Sequence, residues 1–85
     1  MIGQVNLNSK LGKSIYDFVS RDDIKTIVEI GTWNGYGSTE CIKKSIIENN
    51  KKDYVVFSLE INESMYNIAQ GNTYPDNFHL LLGTI

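Results

Sequence analysis

Cysteine is almost missing from this chain. Cys41 stands alone, which excludes an internal disulfide framework and a multi-cysteine zinc site and fits a reducing, cytoplasmic compartment. Pro75 is the only proline, and no Pro- or Gly-rich stretch marks a domain boundary. Arg21 is the only arginine, and basic residues occur at most in pairs. Eight Lys+Arg against ten Asp+Glu leave a formal charge of −2, so no dedicated nucleic-acid surface is expected. No apolar run approaches the roughly 20 residues needed to span a bilayer. Met1–Lys10 also lacks the apolar segment of a signal peptide. What remains is the balance of a soluble globular domain, with 41% apolar and 21% charged residues in a chain of 85. A chain of that length buries only about 60–65% of its unfolded surface, which predicts one domain with a modest core.

Periodicity organises the rest. Leu11, Ile15, Phe18 and Val19 recur at helical spacing within Ser9–Val19, with Ser9 as the cap. Thr26-Ile27-Val28-Glu29-Ile30 is β-branched and almost continuously apolar, the pattern of a strand covered on both faces. It runs into a loop with three glycines, Gly31-Thr32-Trp33-Asn34-Gly35-Tyr36-Gly37. Ser38 or Thr39 is expected to cap the next helix, which turns Ile42, Ile46 and Ile47 to one side. A second strand follows over Tyr54–Leu59 and ends at Glu60. Asn62 caps a short helix carrying Met65, Ile68 and Ala69, with Gly71 at the place of a left-handed terminator. Phe78–Leu82 is the third strand.

Apolar strands alternating with helices require a parallel sheet with right-handed crossovers, here in the order 3-2-1. The expectation is an α/β, Rossmann-like three-layer sandwich with a partial sheet and a preceding N-terminal helix. Residues 1–24 would form the helical segment and 25–85 the βαβαβ unit.

In such sheets ligands bind beyond the carboxyl ends of the strands. The glycine loop lies there, and glycines let the backbone turn sharply and approach a ligand. Its spacing excludes two common ligands. A P-loop needs four residues between its glycines and a following lysine; three separate Gly31 from Gly35, and no lysine follows. The dinucleotide fingerprint G-x-G-x-x-G fails because Trp33 stands where its second glycine would. Two carboxylates flank the loop. Glu29 repels a diphosphate and suits a cationic group, while Glu60, at the end of the second strand, is placed to accept from ribose hydroxyls. That pair suits S-adenosylmethionine better than NAD or ATP.

At these residues the chain resembles the class I S-adenosylmethionine-dependent methyltransferases. Val28-Glu29-Ile30-Gly31-Thr32-Trp33-Asn34-Gly35-Tyr36 is similar to the family's first motif, in the E-x-G-x-x-x-G-Y form of catechol- and caffeoyl-CoA-type O-methyltransferases. Leu59-Glu60-Ile61 resembles the second motif, and Leu80-Leu81-Leu82-Gly83 the third strand with its glycine. The resemblance covers Lys25 to Gly83, whereas the family's sheet has seven strands. It therefore implies a cofactor-binding half that stops after the third strand, without the acceptor-binding half.

That resemblance implies a function: the S-adenosylmethionine-binding part of a methyltransferase, transferring a methyl group to an acceptor not named by the residues. Cofactor contacts would come from Glu29, Gly31, Thr32, Trp33 and Gly35 at the amino-acid end. Glu60 would hold the ribose and Ile61 flank the adenine. No catalytic residue and no metal ligand is assigned, since no triad, metal cluster or paired catalytic carboxylates assemble. His79 reads as a structural or surface histidine, and Cys41 as a packing residue. The alternative is a non-catalytic nucleoside- or cofactor-binding or assembly module, with an NAD-type Rossmann fragment behind it. A first strand without a neighbour on one side leaves an apolar edge around Ile27–Ile30, so a homodimer through that edge or through the sheet face is expected.

Overall fold

The computed structural model describes residues 8–32 and 35–83. Three helices and three strands alternate there: α1 (Lys10–Val19), β1 (Thr26–Ile30), α2 (Ser38–Glu48), β2 (Val55–Glu60), α3 (Glu63–Gln70) and β3 (Phe78–Leu82). The strands form one parallel sheet with β2 in the middle. The α/β class, the 3-2-1 order and the preceding helix are therefore as the sequence predicts, and the unit is a partial Rossmann-like sandwich.

Register fixes which side chains share a face. Ile27, Val56 and Phe78 lie in one row across the sheet, and Glu29, Ser58 and Leu80 in the next row on the same face. The helices cover this face. Val19 from α1 and Ile42 and Ile46 from α2 close over Tyr54, Val56 and Phe78, with Ile15, Ile27, Tyr74 and Leu80 packed around them. Polar ties hold the helical layer together: Ser45 Oγ donates to the Tyr16 carbonyl at 2.6 Å, and Tyr16 Oη to Glu48 Oε1 at 2.7 Å.

The opposite face is bare, against the expectation that β1 is covered on both sides. Val28 is 53% exposed, Ile30 64% and Leu81 44%. The reason is topological. Both crossovers run in the same direction along the sheet, so right-handedness puts α2 and α3 on one side. Ile47, expected in the core, is exposed for a related reason: Ile42 and Ile46 already fill the helix face that meets the sheet.

Helix ends differ from expectation in two places. Ser9 caps α1 as predicted, accepting from Gly12 N–H at 2.9 Å, and Asn62 caps α3, accepting from Met65 N–H at 3.0 Å. The cap of α2 is Gly37, however, with no side-chain bond. The hydroxyls of Ser38 and Thr39 are drawn instead to Glu29. Gly71 ends α3 with ordinary right-handed dihedrals, its N–H donating to the Ile68 carbonyl. Among the described residues, the left-handed positions outside glycine are Asn50 beyond α2 and Asn77 before β3.

Candidate functional site at the carboxyl ends of the strands

The turn after β1 is where the backbone departs from ordinary conformations. Gly31 has φ +91° and Gly35 φ +86°, both in the region that favours glycine. The N–H groups of Gly31 and Thr32 both donate to the Leu59 carbonyl, at 2.7 and 3.0 Å. The chain is thus held over the end of β2 before it turns to α2.

The two glycines differ in surroundings. A Cβ on Gly31 would meet nothing within 4 Å, whereas one on Gly35 would lie 2.7 Å from Asn72 Nδ2 and 2.9 Å from Tyr74 Oη. Gly35 is therefore needed for close approach to the chain's own α3–β3 connection. Tyr36 Oη, donating to Asn72 Oδ1 at 3.0 Å, fastens the same contact.

Beneath the turn lies a cluster of hydroxyls around one carboxylate. Glu29 is 7% exposed. Its Oε1 accepts from Thr39 Oγ1 and Ser58 Oγ, each at 2.5 Å, and its Oε2 accepts from Ser38 Oγ. Thr32, also buried, shares a 2.5 Å hydrogen bond with Ser58 Oγ. Charge-assisted bonds of this kind are roughly twice as strong as neutral ones, and these join β1, β2, the turn and α2. Sequence reasoning chose Glu29 and Thr32 but passed over Ser38, Thr39 and Ser58. The signal was present in Ser58, a small hydroxyl within the otherwise apolar Val55–Leu59.

Glu60, 6% exposed, also turns inward and accepts from the Asn62 N–H at 2.9 Å, closing the step from β2 into α3. Its carbonyl accepts from Gly83 N–H at 2.9 Å, which ties the end of β3 to β2. Ile61 projects to solvent at 74% exposure. Trp33, another predicted contact, lies outside the described residues. The structure brings Glu29, Thr32 and Gly35 together with Ser38, Thr39 and Ser58, and places Glu60 and Ile61 one strand away. His79 is exposed on the bare face and stacks on Phe57, with ring centroids 5.4 Å apart. Cys41 is buried, and burial pushes its thiol above the ordinary value.

No protein-family model matches this chain, and no curated protein matches it. Among solved structures it is similar in fold to a chain from a complex between the Haloferax volcanii Trm112 methyltransferase activator and a protein described as its methyltransferase. The match has a TM-score of 0.50 and 21% identity over 86% of this chain, and it spans 34% of the other. About a third of the neighbour's length is thus represented here.

This finding corrects the expectation of a methyl-transferring enzyme. The matched chain belongs to a complex of an activator with a methyltransferase, and the likeness extends to the fold alone. The buried hydroxyl cluster supplies the physical reason. A carboxylate occupied by three internal hydroxyls is a fastening between elements, and Glu60 fastens another. No helix among the described residues is long and apolar enough to cross a membrane.

Proposed function

We propose that this chain is a non-catalytic assembly module, an α/β unit that docks another polypeptide on the bare face of its sheet. One observation carries this reading. The face of the sheet opposite the helices is apolar and bare, with Val28, Ile30 and Leu81 between 44% and 64% exposed. Valine, isoleucine and leucine side chains each gain roughly 1.5–3 kcal/mol on full burial. Ile30 and Leu81 flank Leu59 in one row across the sheet, with Val28 next along β1, and such a patch left in water is a docking surface rather than scattered surface residues. The inward turn of Glu29 and Glu60 supports the same reading, because the polar groups at the strand ends serve the fold. The complex in which a similar fold occurs joins two proteins, an activator and a methyltransferase, which accords with an assembly role.

Two measurements on the full chain test this. Sedimentation velocity across the micromolar range is expected to show concentration-dependent association. Incubation with isotopically labelled S-adenosylmethionine and a library of acceptors is expected to leave no labelled product above the blank. A chain that stays monomeric throughout, or that transfers label, overturns the reading.

A further inference from the structure

His79 is the only histidine of the chain, and the register of the sheet puts it on the bare face. Val28, Phe57 and His79 form one row across that face, and Ile30, Leu59 and Leu81 the next. The imidazole is exposed and lies against Phe57 of the central strand, with ring centroids 5.4 Å and planes 23° apart. A surface that covers Phe57 therefore covers the imidazole with it.

Among the described residues, no other side chain on this face takes up or releases a proton. Beside the two rows it holds Thr26 and Val55, at the amino ends of β1 and β2. Glu29 and Glu60, the carboxylates within the strands, turn to the opposite side and are held there. The charges adjoining the strands in sequence are Lys25 ahead of β1, Asp53 ahead of β2 and Asp76 ahead of β3. Lys25 and Asp53 pair with each other at 2.8 Å.

We propose that His79 is a proton switch on the docking face, which takes its polypeptide partner while the imidazole is neutral and gives it up when the imidazole is protonated. This rests on the assembly reading and adds its regulation. Histidine is the side chain whose charge ordinarily changes between pH 5 and 8. On an open face, water carries the charged form at little cost. Under an apolar cover that hydration is lost, and the row beside His79 returns no carboxylate. Attraction of the cation to the Phe57 ring offsets part of the loss and is already present in the uncovered chain. The sign follows from linkage. A docked state that excludes the proton is strongest above about pH 6.5, the value of a free histidine, and weakens as pH falls through it. Below that value the affinity drops by up to about tenfold per pH unit for each imidazole covered.

Sedimentation velocity of the full chain at pH 7.5 and at pH 5.5 tests the switch. Ordinary carboxylates stay largely ionised across this window, while the α-amino group titrates within it, so variants at His79 isolate the imidazole. The dissociation constant of the natural chain is expected to rise at least about tenfold at pH 5.5, with the far-ultraviolet circular dichroism unchanged. His79→Phe keeps a neutral ring beside Phe57 and is expected to associate equally at both pH values. His79→Gln, also neutral, serves the same purpose should that variant precipitate. Equal association of the natural chain at both pH values overturns the switch and leaves the assembly reading standing. So does a pH dependence that the variants keep, or one that comes with loss of the dichroism. A monomer at every pH and concentration overturns both.

Discussion

Ser58 lies directly opposite Glu29 in the parallel ladder and donates its hydroxyl to Glu29 Oε1 at 2.5 Å. The one hydroxyl in β2 thereby meets the one carboxylate of β1, beside the donors that Ser38 and Thr39 bring from α2. Ser58 also shares a hydrogen bond with Thr32, so a single hydroxyl links both strands to the glycine turn. Ser58→Ala is expected to lower unfolding free energy by about 1.5–3 kcal/mol, the scale for a hydrogen bond to a charged group. Urea unfolding checks it. A loss below about 0.5 kcal/mol would mean that Thr39 and Ser38 hold the carboxylate unaided.

That relationship also shows where the sequence is legible. Thr26–Ile30 reads as a strand because β-branched residues crowd there, and Gly31 marks its end because the turn needs a positive φ. Ser58 stands out as a hydroxyl in an apolar run, but its partner is opaque: nothing in one strand says which residue of another it will face. The same holds for Ser38 and Thr39, which have the chemistry of helix caps and are claimed by Glu29, leaving Gly37 as the cap. Val28 and Ile30 mislead in the other direction. A continuous apolar run implies two covered faces, but the covering of the second face is a property of the elements around a strand.

The two loop glycines separate backbone strain from packing. Gly31→Ala meets open space and costs only the strain of a side chain at φ +91°, about 1–2 kcal/mol. Gly35→Ala bears the same strain and in addition forces Asn72 and Tyr74 aside. The Tyr74 hydroxyl is itself anchored on the Ala69 carbonyl at 2.8 Å, so it yields poorly. The Gly35 variant is expected to lose at least about 1 kcal/mol more than the Gly31 variant. Equal losses in thermal or urea unfolding would show that the α3–β3 connection moves freely.

Neighbouring isoleucines on α2 test the one-sided core. Ile46 is 2% exposed against the sheet, while Ile47 is 57% exposed. Ile46→Ala is expected to cost about 2–5 kcal/mol through lost burial and the cavity left behind. Ile47→Ala is expected to stay within about 0.5 kcal/mol, as surface changes usually do. The same pair measured in dilute and concentrated solution shows whether association reaches that end of α2.

The thiol of Cys41 links burial to alkaline stability. Burial raises its pKa, with the charges of Glu40 and Glu29 adding to the effect. The folded chain therefore holds this proton more tightly than the unfolded chain does. The resulting stability is fully present below the unfolded value, about 8.5 for a free thiol. It is lost as pH rises from there through the higher folded value. Tyr54 and Tyr74 are raised as well, chiefly by burial, and act in the same direction at higher pH. Cys41→Ala isolates the thiol. Between about pH 7 and the range just above pH 8.5, the natural chain is expected to lose stability faster than this variant. Parallel slopes would mean that the thiol titrates as freely in the folded chain as in the unfolded one, and that α2 opens readily enough to hydrate it.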